Sequence, residues 1–230
     1  MLISIEGNIG CGKSTFLSKL REKTAAERDP SDNVSYGSID GIKYAFVPEP
    51  IDEWNTIRDE TGKTMLEVFY EDQLRNAFSF QMMAYISRLV SLKKALKSKV
   101  DVVIVERCLY TDRNVFLKMF YDDKKIREVD YQIYHKWFHE FADEVTPNKI
   151  VYLQTSPEVC HTRVSRRARD GEDVISVDYL KKCHDYHEEW LSKNELKSDI
   201  TILNADHSKT QEGCEDYTDW ISTITKLASS

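Results

Sequence analysis

The chain has 230 residues, 41% of them hydrophobic, with a formal charge of -7 and a pI near 5.5; that is ample apolar material for one globular domain spanning 1–230. The acidic balance excludes a protein whose main task is gripping nucleic acid, because such proteins neutralise backbone phosphates with surplus Lys and Arg. Scattered cysteines (Cys11, Cys108, Cys160, Cys183, Cys214) exclude a disulfide framework and a zinc site and point to a reducing compartment; with no transit or signal pattern in "MLISIE" and no apolar run of about 20 residues, the expected location is cytoplasmic with no membrane partner.

A first strand is expected at Leu2–Glu6, followed by "GNIGCGKST" and a helix from Lys13 to about Glu27. Gly7, Gly12, Lys13 and Ser14 fit G-x-x-x-x-G-K-[ST] between a strand and a helix, the context in which glycines let backbone N–H groups converge on phosphate oxygens at a helix N-terminus. Lys13 would then neutralise the β- and γ-phosphates, and Ser14 would hold Mg²⁺. The polar stretch from Arg28 to Gly41 reads as an irregular surface loop.

A second strand, Tyr44–Pro48, ends in "VPEPIDEW", where Pro50 biases Glu49 away from helix and sets its carboxylate in an extended turn, placed to accept a hydroxyl proton. A long helix from Gln73 to Leu96 should bury Leu74, Phe78, Met82, Tyr85 or Ile86, Leu89 and Leu96. On another side of it Gln81 and Arg88 lie seven apart, with Ala77 and Ala84 leaving room for a planar ligand. The third strand, Val102–Glu106, closes on a carboxylate able to position a metal ion or its water opposite the glycine-rich loop.

Further helices are expected over Leu109–Phe120, Glu128–Val145, Pro157–Arg167, Val177–Lys193 and Gln211–Leu227, with strands at Lys149–Gln154 and Ile200–Asn204. The alternation of strands and helices predicts an α/β fold: a P-loop NTPase-type five-stranded parallel sheet flanked by helices, with a short arginine-rich lid. That lid is "HTRVSRRARDGED", whose arginine forks suit phosphoryl-transfer charge and whose Gly171 would permit closure. No D-x-x-G or N-K-x-D accompanies the loop, since "NKIV" at Asn148 lacks the acid, which disfavours a switch. The histidines at 135, 139, 184 and 187 do not make a metal motif and are given to structure, and Trp137, Phe138 and Phe141 to a core or a subunit seam.

Taken in order, GNIGCGKSTF, EPIDEW, FSFQ, ERCLYTDR, YLQTSPEVC, RVSRRAR and YLKKCHDYHEEWL make a combination that resembles the cellular deoxynucleoside kinase family, which includes deoxycytidine, deoxyguanosine and mitochondrial-type thymidine kinases. The resemblance implies transfer of the γ-phosphate of ATP, or another nucleoside triphosphate, to a deoxynucleoside 5′-hydroxyl, with Mg²⁺ as cofactor and a homodimer formed through the helices near Gln73–Leu96 and Glu128–Val145. It implies that Gly7, Asn8, Gly10, Gly12, Lys13, Ser14 and Thr15 bind the donor together with Arg163, Arg167 and Arg169, and that Ser14 and Glu106 hold the metal.

The resemblance also makes Glu49 the general base, steadied by Arg107, with Trp54, Phe80 and Phe116 walling the acceptor and Gln81 reading the base edge. Tyr70 and Glu172 would read the sugar 3′-hydroxyl, and Lys13, Arg167 and Arg169 join the catalytic set. Arg88 and Asp112 resemble the polar pair of members favouring cytosine or purine bases over thymine. Cys108 departs from the serine that usually follows Glu-Arg, and the Arg28–Gly41 stretch is longer than the family's usual connection. The nearest alternative is a nucleoside monophosphate kinase of thymidylate type, which needs cations aimed at an acceptor phosphate; another is a nucleotide-binding regulatory protein without turnover.

Overall fold

A computed structural model describes residues 1–29, 33–169, Glu172, 174–206 and 217–229. The chain runs β1 (Leu2–Glu6), α1 (Lys13–Lys23), β2 (Glu27–Arg28), β3 (Ser35–Ile39), β4 (Ile42–Val47), α2 (Ile51–Trp54), α3 (Met65–Glu71), α4 (Gln73–Lys97) and β5 (Val102–Glu106). It continues through α5 (Leu109–Thr111), a π-helical turn (Asp112–Leu117), α6 (Lys118–Asp122), α7 (Glu128–Phe141), a 3₁₀ turn (Asp143–Val145), β6 (Lys149–Gln154), α8 (Pro157–Arg167), α9 (Val177–Lys193), β7 (Asp199–Asn204) and α10 (Thr218–Ser229).

The strands form a mixed sheet in the order β2-β3-β4-β5-β1-β6-β7. β4, β5, β1, β6 and β7 pair in parallel, whereas β2–β3 and β3–β4 are antiparallel. The expected five-stranded parallel sheet is therefore only part of a seven-stranded one, and the expected Arg28–Gly41 surface loop holds β3 and the end of β2. The physical reason is the turn at Asp40–Gly41: both residues have positive φ, 52° and 81°, between the paired Ile39 and Ile42. That is the two-residue turn whose twist suits a hairpin.

Strands β1 and β5, LISIE and VVIVE, are buried along their whole length, as central strands of a parallel sheet covered on both faces are. Ala45, Val47, Val103 and Val105 face the layer containing α4 and α7, while Phe46, Ile104, Ile3 and Ile5 face the layer containing α1, α8 and α10. α1 stops at Lys23, earlier than expected, because Thr24 returns its hydroxyl to Leu20 O and Ala25 turns left-handed at φ 50°. α10 begins at Thr218; the expected start at Gln211, like Cys214, lies outside the described residues. Among the described residues no helix is long and apolar enough to cross a membrane.

On α4 the expected stripe is buried only in part. Tyr85 and Leu89 lie in the core and Phe78 and Met82 pack against it, whereas Leu74, Ile86 and Leu96 are exposed, and the helix also buries Ala77, Gln81, Ala84, Arg88 and Leu92. The two alanines let the helix approach the sheet, and the polar pair beside them faces a cavity rather than water.

Candidate active site

All the parallel strands point their C-terminal ends the same way, so the segments following β1, β4 and β5 meet at one edge, where ligands of open α/β sheets bind. A cavity of about 510 Å³ opens there. It runs from Glu49, Trp54 and Gln81 at one end, past Lys13, Glu106 and Arg107, to Arg163, Tyr217 and Trp220 at the other.

The loop after β1 is fixed by contacts that leave no room for side chains. A Cβ on Gly7 would stand 2.7 Å from Cys11 Sγ and 2.8 Å from Leu153 O, and one on Gly10 would stand 2.6 Å from Cys160 O. Asn8 donates its amide to Leu180 O at 2.8 Å and accepts from Ile9 N at 2.8 Å, tying the loop to α9. Lys13 is buried and donates to Gly7 O at 3.0 Å and Asn8 O at 2.7 Å. Gly10, Gly12, Lys13, Ser14 and Thr15 line the cavity; Gly7 and Asn8 lie behind it and hold its shape.

Ser14 Oγ donates to Glu106 Oε1 at 2.7 Å, bringing the two expected metal ligands into contact. Among the described residues no group of three or more His, Cys, Asp or Glu could hold a metal. A hydroxyl and one carboxylate are hard oxygen donors that fit Mg²⁺, which keeps waters and takes phosphate oxygens for the rest of its shell.

Glu49, 14% exposed at its side chain, accepts on Oε1 from Arg107 Nη1 at 2.8 Å and from Arg88 Nη2 at 3.2 Å. Burial would raise its pKa, but Arg107, Arg88 and Lys13 together prevail and lower it to about 2, so the carboxylate is ionised at neutral pH. Arg107 adopts φ 61°, a left-handed backbone that aims its guanidinium at Glu49, at Gly7 O (3.3 Å) and over the Phe116 ring (5.2 Å).

Arg88 is held further by Asp112, Nε to Oδ2 at 2.9 Å, and by Glu106 O at 2.7 Å. Burial raises the Asp112 pKa, against the lowering by Arg88. Asp112 and Phe116 both lie on the π turn, one residue wider than an α turn, and both line the cavity.

Trp54 donates its indole N–H to Ser87 Oγ at 2.8 Å and packs edge-on against Phe80, which stacks on Phe69 with centroids 4.3 Å apart. Within this aromatic slot Gln81 is buried, with no hydrogen-bond partner for its Oε1 among the described residues. Tyr70 lines the cavity, and burial, then the Glu172 charge, pushes its phenol pKa up. Glu172 accepts from Arg167 on Oε2, with Nε at 3.0 Å, and from Arg169 Nη1 on Oε1 at 3.2 Å. Arg163 donates to Cys11 O at 3.2 Å and Ala205 O at 2.9 Å, and the exposed Arg166 lies on the cavity rim. Asp170 and Gly171, the latter the expected lid hinge, lie outside the described residues.

The geometry thus brings a glycine-rich cradle, a paired hydroxyl and carboxylate, a guanidinium-clamped acid and an aromatic slot into one cavity. A family model for deoxynucleoside kinase matches residues 38–229. The chain belongs to the deoxynucleoside kinase family. It is similar to a fowlpox virus protein described as a probable deoxycytidine kinase, with 35% identity covering 89% of this chain and 78% of the viral protein. Mitochondrial deoxyguanosine kinase of Xenopus laevis is 32% identical over 83% of this chain and 73% of its own length. Human deoxycytidine kinase is 32% identical over 94% of this chain and 85% of its own. As a member, the chain is an ATP-dependent phosphotransferase of deoxynucleoside-kinase type.

In this kinase the cysteine in place of the usual serine is fully enclosed. The Cys108 backbone N–H donates to Glu6 Oε1 at 2.9 Å, and its Sγ lies 3.7 Å from Thr111 Oγ1; burial, then the Glu6 charge, raises its thiol pKa well above the usual value. Glu6 itself is buried and also accepts from Ser4 and from Thr111 Oγ1, the latter at 2.5 Å, so a carboxylate from β1 pins the turn carrying Arg107. Sequence reasoning missed Glu6, together with Phe69, Tyr217 and Trp220. Only the acid closing an apolar strand just before the glycine-rich loop gave a readable signal for Glu6.

Proposed function

We propose that this kinase transfers the γ-phosphate of ATP, or of another nucleoside triphosphate, to the 5′-hydroxyl of a deoxynucleoside, favouring cytosine or purine bases over thymine. The observation that carries this reading is the clamped Glu49: both guanidinium groups donate to Oε1, and among the described residues no hydrogen bond reaches Oε2, which is left to an incoming hydroxyl. A carboxylate of low pKa is a weak base in the ground state. It takes the proton as the bond to phosphorus forms and the hydroxyl acidifies, while Arg107 stabilises the charge passing through the pair.

Lys13, the loop amides, Arg163, Arg167 and Arg169 bind the donor, and the arginine-rich end of α8 serves as a lid of the P-loop type that excludes water as a competing acceptor. Mg²⁺, held by Ser14 and Glu106, supplies neutralisation of donor phosphate charge. Trp54, Phe80 and Phe116 wall the acceptor, Gln81 hydrogen-bonds the base edge, Tyr70 and Glu172 take the 3′-hydroxyl, and the Arg88–Asp112 pair supports a base bearing an amino group. The names of the viral and vertebrate relatives, deoxycytidine and deoxyguanosine kinases, agree with that preference.

The enzyme is further read as a cytoplasmic homodimer of one-domain subunits. What supports the dimer is a strip of exposed apolar side chains on two packed helices, Ile86 and Val90 of α4 with Val129, Ile133 and Trp137 of α7. A panel of deoxynucleosides and their monophosphates, each with ATP and UTP, tests the function. Phosphorylation of deoxycytidine or a purine deoxynucleoside ahead of thymidine is expected, and preferential turnover of a monophosphate would overturn the assignment.

A further inference from the structure

Arg88 makes four hydrogen bonds from a side chain that is almost wholly buried. Nε and Nη2 reach Asp112 at 2.9 and 3.4 Å, Nη1 reaches Glu106 O at 2.7 Å, and Nη2 also reaches Glu49 Oε1 at 3.2 Å. One nitrogen therefore serves two carboxylates, with an N–H for each, one at the base end of the cavity and one at the reacting end. A guanidinium is planar and rigid, so a displacement at its Asp112 edge is carried undiminished to the edge on Glu49.

We propose that Arg88 is a positioning residue that carries recognition of the base, made at Asp112, into the placement of the carboxylate that accepts the hydroxyl proton, so that bases are discriminated in kcat as well as in KM. This rests on the deoxynucleoside kinase reading above. Asp112, when ionised, offers only acceptors. An amino group on the base would donate to it and fix the position of that carboxylate, and through the planar guanidinium the position of Nη2 against Glu49 Oε1. A carbonyl at the same place repels Asp112 and displaces the guanidinium with it.

The test measures kcat and KM for deoxycytidine and deoxyuridine, which differ in the amino group, for wild type, Arg88→Lys and the double variant Arg88→Met, Asp112→Ala. Wild type is expected to favour deoxycytidine at least about tenfold in kcat itself. Arg88→Lys keeps the charge but loses the fork, so its kcat ratio falls toward unity, and the double variant does the same. Wild-type discrimination confined to KM, or a kcat ratio unchanged in Arg88→Lys, overturns the proposal. If the double variant does not fold, Arg88→Lys decides alone. No turnover of any nucleoside by wild type removes the underlying reading as well, whereas normal turnover with an unchanged kcat ratio removes this inference alone.

Discussion

Ser14 Oγ and Glu106 Oε1 meet at 2.7 Å across 92 positions of sequence, one at the start of α1 and the other at the end of β5. On the function proposed above, the pair would supply part of a Mg²⁺ coordination shell from two rigid elements. Ser14→Ala and Glu106→Gln are each expected to raise the Mg²⁺ concentration for half-maximal turnover by about 10- to 100-fold. Titrating Mg²⁺ at fixed ATP checks this, and equal Mg²⁺ dependence in wild type and Glu106→Gln would remove the metal role.

Glu49→Gln keeps the shape of the clamp and loses the proposed proton acceptor. Turnover is expected to fall by about 10²- to 10⁴-fold, with ATP affinity little changed. Single-turnover kinetics and equilibrium ATP binding separate the two effects.

The same acid leaves a mark on stability. Its folded pKa is lowered from 4.5 to about 2, so the clamp contributes stability fully present above the unfolded value and lost as pH falls toward the folded one. Between about pH 4.5 and 2 the wild type should lose stability more steeply than Glu49→Gln. Urea unfolding at successive pH values measures the difference, and parallel curves would show that Glu49 is not depressed.

Trp220 lines the cavity at the end away from Glu49 and packs edge-on against Phe16 of α1, 5.4 Å between centroids. With Arg163 nearby it bounds the space where a donor base would lie. Trp220→Leu is expected to raise KM for ATP about 3- to 10-fold, as loss of an aromatic contact worth about 1 kcal/mol implies, while KM for the nucleoside stays unchanged. Equal effects on both would place Trp220 in general packing instead.

If α4 and α7 form the subunit seam, charge there should split it. Ile86→Glu with Ile133→Glu is expected to convert a dimer to a monomer in sedimentation velocity, because both side chains are exposed in the single chain and would be desolvated on pairing. A wild-type monomer at micromolar concentration would refute the seam.

Strands β1, β5 and β6 and helices α8 and α9 were legible to the residue, because unbroken β-branched runs and well-marked helix starts state their own limits. The hairpin was legible too and was passed over: "IDGI" carries the Asp-Gly turn signal, masked by the polar residues around it. Helix α4 was half legible: Tyr85 and Leu89 are buried as the apolar period says, but the period marks whichever face will be covered, and Leu74, Ile86 and Leu96 are not on the face against the core. Spacing and resemblance named most of the residues that line the cavity, but not the wiring between them. Nothing in sequence says that Arg88 reaches Glu49 as well as Asp112, or that a π turn brings Asp112 and Phe116 into the same cavity, since both depend on tertiary placement.

The backbone of Arg107 carries a consequence of its own. A left-handed conformation costs a side-chain-bearing residue about 1 to 2 kcal/mol, held in place here by the guanidinium's grip on Glu49 and by the next amide's bond to Glu6. Loop shape and ionic contact at this position act together: truncation to alanine, which keeps the Cβ and loses the guanidinium, drives the main chain toward negative φ and draws the neighbouring amide off its carboxylate. Glycine, at ease on either side of the Ramachandran map, is the replacement that would unfasten the ionic half while leaving the loop its present path.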